Sequence, residues 1–141
     1  MLSNKTYKFW FCTGSQDLYG DECLRKVAEH SAKMVEALNA SDKIEYEIVL
    51  KPTLISQASI RQTLNDANND PECAGVITWC HTFSPAKMWI LGLKEFKKPL
   101  CHLHTQFNEE LPYDTIDMDF MNENQSAHGD REFGHICARM R

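Results

Sequence analysis

Residues 7–20 have the sequence YKFWFCTGSQDLYG, in which an apolar run over 7–13 is followed by a polar turn over 14–20. An amphipathic helical pattern starts directly after this turn, at Asp21, and continues to Ala40. A strand, a polar turn and a helix form the opening unit of an α/β fold. Ligands of such folds bind at the loops that leave the carboxyl ends of the strands, so this turn is the first candidate site.

Two later stretches have the same placement after an apolar run. They are residues 80–87, CHTFSPAK, and residues 103–108, LHTQFN. Because parallel strands end at the same edge of a sheet, all three loops are expected to converge there.

The rest of the chain alternates between strand and helix patterns. Strands are predicted over 6–13, 44–50, 74–80 and 100–103, and helices over 21–40, from the N-cap Ser56 to about 68, over 86–96 with Ser84 as N-cap, over 118–125 and over 131–141. The apolar and polar alternation over 44–50 predicts an edge strand. Short connections favour parallel neighbours with right-handed crossovers. The prediction is an α/β fold, a doubly wound, flavodoxin- or Rossmann-like parallel sheet with strand order 2-1-3-4, in one domain over 1–141.

Composition restricts the class of protein. No apolar segment approaches the roughly 18 residues that a membrane helix needs, and the N-terminal residues lack the pattern of a secretion signal. A soluble, cytoplasmic protein is therefore expected. The net charge of -5, without a cluster of Lys and Arg, argues against a nucleic-acid partner. The six cysteines show no Cys-x-x-Cys spacing, so we expect reduced, buried thiols rather than disulfides or a zinc site.

The turn after the first strand allows two kinds of ligand. Its sequence lacks both Gly-x-Gly-x-x-Gly and the Gly-Lys-Ser/Thr ending, so it supports nucleotide or flavin binding only weakly. A sugar or polyol site is the alternative, in which Gln16 and Tyr19 supply hydrogen bonds and Phe83 an apolar wall. An ordinary strand-to-helix turn without a ligand is the third interpretation.

His102 and His104 lie two residues apart on a predicted strand, so both face one side, which is an arrangement that can bind one metal ion. Asp117 and Asp119 are possible oxygen ligands from another segment. The sequence favours a structural role instead, with one histidine packed in the sheet and the other hydrogen-bonded at the strand end.

His128 is the stronger functional candidate among the histidines. It lies in a dense polar stretch, AHGDRE over 127–132, just before the predicted last helix. Alternatively, Asp130 and Glu132 in this stretch only complement the dipole of that helix.

Several motifs together resemble bacterial L-arabinose isomerases. They are residues 10–11 (WF), 14–16 (GSQ), 18–20 (LYG), 81–89 (HTFSPAKMW), 104–108 (HTQFN), 116–122 (IDMDFMN) and 128–134 (HGDREFG). The resemblance covers nearly the whole chain, but only the N-terminal domain of that family, so we expect the central and C-terminal domains to be absent. It implies an aldose-ketose isomerase that converts L-arabinose to L-ribulose, often also D-galactose to D-tagatose, with a divalent metal, usually manganese.

The resemblance also implies where the chemistry lies. In the family, two glutamates and two histidines from the central and C-terminal regions hold the metal, and the glutamates move a proton through an enediol intermediate. None of these positions matches a residue of this chain, and His102 and His104 are not their equivalents. The N-terminal domain instead supplies a wall of the substrate pocket of an adjacent subunit in a hexamer. The motifs assign this role to Gln16, Leu18, Tyr19, Phe83, Gln125 and His128.

The final helical pattern continues to Arg141 without a stop signal, which is typical of a chain that once continued. We therefore expect a fragment or truncated form of an isomerase that is inactive alone. Two other hypotheses remain open at this point. One is a non-catalytic module that packs against a full-length isomerase, and the other is a flavodoxin-like binder of a small molecule such as flavin.

Overall fold

Strands and helices alternate along the chain as the sequence patterns predict. The computed structural model describes residues 6–83 and 85–140. The strands are β1 (Lys8–Gly14), β2 (Glu47–Leu50), β3 (Cys73–Cys80) and β4 (Leu100–His102). The helices are α1 (Asp21–Ala40), α2 (Gln57–Asn69), α3 (Ile90–Glu95), α4 (Met118–Glu123) and α5 (Ser126–Arg139), with short 3-10 helices at Asp17–Tyr19 and Ala86–Trp89. The strands pair in parallel in the order β2-β1-β3-β4, which confirms the predicted sheet.

Helices cover both faces of this sheet. Side chains alternate along a strand, so Trp10 and Cys12 of β1 face one layer and Phe11 faces the other. The first layer contains apolar side chains of α2, the segment before α3, and α5, among them Ile60, Leu64, Trp89 and Phe133. The second layer contains Val35 of α1. Burial on both faces explains why the central strands are apolar almost throughout.

Local sequence signals set the starts of two helices. The Ser56 hydroxyl accepts a hydrogen bond from the Ser59 backbone N–H at 3.1 Å, and the Ser59 hydroxyl accepts one from the Ser56 N–H at 3.3 Å. This reciprocal capping box confirms the predicted N-cap of α2. Gly20, with φ of 85°, separates the 3-10 turn from α1 and adopts a left-handed conformation that favours glycine.

Two helix predictions need correction. The last helix begins at Ser126 rather than at Arg131, because the polar segment before Arg131 is helical as well. His128 therefore lies in the first turn of α5 and not ahead of it. The segment over 86–96 is a 3-10 helix followed by the short α3 rather than one continuous helix. Ser84, the predicted cap, and Arg141 lie outside the described residues.

All six cysteines are free. Four of them are buried and Cys137 is half-buried, but Cys101 is exposed, so the expectation of a buried thiol is wrong at that position. Cys101 lies on β4, an edge strand of only three residues, where cover is incomplete. Among the described residues, no helix combines the length and the apolar character needed to cross a membrane.

Candidate functional site

The loops after β1 and β3 meet at the carboxyl edge of the sheet. Gly14 and Cys80, the last residues of these strands, are paired in the sheet register. Gln16 donates its side-chain N–H to the Phe83 carbonyl oxygen at 2.9 Å, and the Tyr19 hydroxyl donates to the same oxygen at 3.2 Å. Two of the predicted site residues therefore hold the backbone of a third.

The Phe83 ring also contacts α5. It stacks on the imidazole of His128 with 4.2 Å between ring centroids, and the Phe83 N–H donates to the Asn122 carbonyl at 3.0 Å. Phe83 is 37% exposed and His128 is exposed as well. The two rings thus form a surface at the sheet edge, which we call the Phe83–His128 wall.

The other two predicted residues lie on either side of this wall. Leu18 is 77% exposed and lines, with Tyr19, a depression of about 440 Å³ between the 3-10 turn, α1 and α4. Gln125 lines, with His128, a groove of about 800 Å³ whose walls include Leu111 and Met121. The six predicted residues share one edge of the domain but not one cavity.

Ser15, in the turn after β1, forms its hydrogen bonds within the protein. The Ser15 N–H donates to the Leu54 carbonyl at 3.1 Å, and the Ser15 hydroxyl is bonded to that of Thr82 at 3.1 Å. Both Ser15 and Thr82 are fully buried. Since the polar groups of Ser15 are already paired within the protein, this geometry counts against a flavin or nucleotide at the turn.

A pair of histidines that joins α1 to the loop after β3 was not apparent from the sequence. Nδ1 of His30, on α1, lies 2.7 Å from Nε2 of His81, and Nδ1 of His81 lies 2.7 Å from the Glu123 carbonyl oxygen. The ring of His30 stacks on that of Phe107 at 3.8 Å. Burial is the main reason why the pKa of His30 falls to about 4 and why the pKa of His81 is also lowered. The signal for His30 was its spacing from Val27, which places it on the inner side of α1.

The remaining polar candidates have structural partners. His102 bonds through Nδ1 to Thr78 at 2.9 Å, and its Nε2 lies 3.1 Å from Asp130 Oδ1, whereas His104 is exposed. Asp117 caps α4 by accepting from the Phe120 N–H at 2.8 Å.

Asp130 does not lie in the first turn of α5, so the alternative that it complements the dipole at the start of that helix is wrong. Its carboxylate is buried and accepts from the Cys80 N–H at 2.8 Å. Within the described part of the chain, no three His, Cys, Asp or Glu side chains are grouped so that they could hold a metal ion.

The fold is that of a doubly wound α/β domain, a class of protein in which ligands bind at the carboxyl ends of the strands. The sequence profile of the L-arabinose isomerase N-terminal domain matches residues 3–141. The chain therefore belongs to the L-arabinose isomerase family and corresponds to its N-terminal domain.

Individual relatives agree with this assignment. The chain is 62% identical over 140 residues to the L-arabinose isomerase of Halalkalibacterium halodurans and 61% identical over 140 residues to that of Clostridium beijerinckii. It is 60% identical over 141 residues to that of Thermotoga neapolitana. These alignments cover 99 to 100% of the chain but only 28% of each relative, so the chain spans little more than a quarter of their length.

Proposed function

We propose that the chain is the N-terminal domain of an aldose-ketose isomerase that converts L-arabinose to L-ribulose, and that the Phe83–His128 wall forms part of its sugar pocket. The observation that carries this proposal is the family match over residues 3–141, at about 60% identity to named L-arabinose isomerases. The placement of the wall at the carboxyl edge, where α/β domains bind ligands, supports the second part.

The chemistry of the wall suits a sugar. The exposed Phe83 ring offers an apolar surface for the C–H groups of a pyranose or an open chain, and the His128 imidazole both donates and accepts hydrogen bonds with hydroxyls. Leu18 and Gln125 extend the surface on either side. Gln16 and Tyr19 use their polar groups on the Phe83 carbonyl, so we assign them to holding the wall as well as to lining it.

We further propose that the wall completes the pocket of an adjacent subunit in a hexamer. Large apolar side chains are exposed next to Gln125 and His128, with Leu111 at 49% and Met121 at 39% exposure. Apolar patches of this kind on a protein surface favour contact with another protein surface. A location in the reducing cytoplasm is part of the proposal and is supported by the six free cysteines.

The described residues do not fit a manganese site, because no group of three suitable donors is present among them. We therefore propose that the ligands of the manganese used by this enzyme lie outside this chain. The role of the chain is then to bind and orient the sugar rather than to move protons on it.

Domain replacement tests the proposal. In the Halalkalibacterium halodurans enzyme, the N-terminal 28% that matches this chain is replaced by residues 1–141, and L-ribulose formation from L-arabinose is measured with added manganese. We expect an active chimera in which Phe83→Ala and His128→Ala each raise KM by about tenfold, with smaller changes in kcat. Leu91→Ala, at a similarly exposed apolar residue on α3, is the control and should change neither constant. A folded chimera without activity would contradict the proposal. A chimera whose KM is the same with and without the Phe83→Ala and His128→Ala substitutions would contradict it as well.

A further inference from the structure

The buried carboxylate of Asp130 connects three elements of the fold. Its Oδ1 atom accepts from the backbone N–H of Cys80, the last residue of β3, at 2.8 Å. The same atom lies 3.1 Å from Nε2 of His102, on β4. Asp130 itself lies on α5 and is only 1% exposed. One oxygen atom therefore joins α5 to the ends of two strands.

His102, which contacts the Asp130 carboxylate, is itself held in place by other groups. Its Nε2 also lies 3.1 Å from the Asp130 carbonyl oxygen, which can only accept, so Nε2 carries a proton. Nδ1 of His102 is hydrogen-bonded to the Thr78 hydroxyl at 2.9 Å. The imidazole stacks on the Phe133 ring of α5 at 4.3 Å. The ring orientation of His102 is thus set on three sides.

The buried carboxylate of Asp130 has an energetic cost, which argues for a role beyond packing. The second carboxylate oxygen of Asp130, Oδ2, is buried and has no hydrogen-bond partner among the described residues. An unpartnered buried oxygen destabilises a fold, and an apolar residue would avoid the cost. A carboxylate, however, accepts a strong hydrogen bond from Cys80 and thereby fixes both the distance and the direction of α5.

The Asp130–Cys80 contact joins the two chain segments that carry the wall. Phe83 follows Cys80 by three residues, and His128 precedes Asp130 by two residues. Their rings are 4.2 Å apart. Because α5 and the end of β3 are joined at Asp130 and Cys80, this bond sets the separation of the Phe83 and His128 rings.

We propose that Asp130 is a positioning residue that holds α5 at the distance from β3 at which Phe83 and His128 form one continuous surface. His102 acts with it by holding the carboxylate. The relevance of this role to catalysis rests on the proposed function of the wall, but the positioning itself is a property of this chain.

The first test follows the wall directly by NMR on the 141-residue chain. We expect Asp130→Ala, which removes the acceptor of the Cys80 N–H, to displace the ring-proton shifts of His128 and to weaken its nuclear Overhauser contacts with Phe83. His102→Phe retains the stack on Phe133, removes the donor to Asp130 and should act in the same direction. Ser31→Ala is the matched control, because it deletes a buried polar contact, the 2.8 Å bond to Thr13, on the opposite face of the sheet. It should leave the two rings unchanged.

The second test uses the chimeric enzyme. Asp130→Ala and His102→Phe should each raise KM for L-arabinose by about threefold to tenfold with little change in kcat, whereas a merely structural role would lower the active fraction and spare KM. Unchanged ring signals and KM in both variants would overturn the proposal, and if Asp130→Ala does not fold, the His102→Phe variant provides the test. If Phe83→Ala leaves KM unchanged, the sugar-pocket function fails instead, while the NMR result still reports on Asp130.

Discussion

Nδ1 of His30 lies 2.7 Å from Nε2 of His81, although the two residues are far apart in the chain. The position of each proton follows from the partners. The Glu123 carbonyl only accepts, so Nδ1 of His81, 2.7 Å away, carries a proton. Nε2 of neutral His81 is therefore an acceptor, and His30 donates its Nδ1 proton to it. If Nε2 of His81 were protonated, its N–H would point at the N–H of His30 Nδ1, and the two groups would repel each other.

This pair makes stability dependent on pH. Burial and the neighbouring His81 lower the pKa of His30 from 6.5 to about 4, and burial lowers the pKa of His81. In the unfolded chain both histidines take up protons near their ordinary pKa, so between these values the unfolded state binds more protons. We expect the free energy of unfolding to fall as the pH decreases through this window. Urea titrations between about pH 7 and about pH 5 measure it.

Two variants separate this effect from general acid destabilisation. His30→Phe retains an aromatic ring against Phe107 but cannot be protonated, so its loss of stability on acidification should be smaller than in the wild type. His104→Gln removes an exposed histidine and should keep the wild-type pH dependence. The same slope in all three proteins would show that the His30–His81 pair does not titrate as described.

Two glycines on α5 should respond oppositely to alanine. A Cβ at Gly129 would lie 2.7 Å from the Thr82 carbonyl oxygen, which is backbone and cannot move aside easily. We expect Gly129→Ala to destabilise the fold by about 1–3 kcal/mol. A Cβ at Gly134 would meet no atom within 4 Å, so Gly134→Ala should stabilise the helix by about 0.5–1 kcal/mol. Thermal unfolding of both variants tests these predictions. If Gly129→Ala left the stability unchanged, α5 would be able to shift away from the Thr82 carbonyl oxygen.

Most of the fold was predictable because its signals are local. The apolar run that becomes β1 indicated a central strand, and the alternation that ends at Leu50 indicated an edge strand, which the sheet order confirms. Ser56, a residue type that favours helix N-caps, correctly indicated the start of α2. The start of α5 was missed because Gly129 permits a close helix packing that has no counterpart in the local pattern.

The candidate site was predictable only in part. Motif resemblance pointed to Phe83 and His128, and the structure places their rings in contact, but their role in sugar binding stays a prediction. The contacts that join α1 and α5 to the end of β3 were not predictable from spacing, because His30 contacts His81, and Asp130 contacts Cys80, across long chain separations. Such contacts depend on how helices pack on the sheet, which no local pattern encodes.

The thiols should differ strongly in reactivity. Burial raises the pKa of Cys12 to about 12 and that of Cys23 to about 11, and it raises the pKa of Cys80 well above its ordinary value. Only the thiolate reacts with iodoacetamide, and Cys101 is exposed. We expect Cys101 to be alkylated first in the native chain, with the buried thiols reacting only after unfolding. Mass spectrometry of timed samples identifies the site, and Cys101→Ser should abolish the fast phase. Early labelling of Cys12 or Cys80 would contradict the packing of the central strands.

The isolated chain should form no L-ribulose from L-arabinose, with or without added manganese. The described residues provide no group of three donors for the metal, and the role that we propose for the Phe83–His128 wall is sugar binding alone. The active chimera in the same assay is the positive control, and a chelator should abolish its activity. The unfolding temperature of the isolated chain should be the same with manganese as with chelator, because a bound metal would stabilise the folded state. Ketose formation by the chain alone, or a rise in its unfolding temperature with manganese, would show that the domain holds catalytic or metal-binding groups of its own.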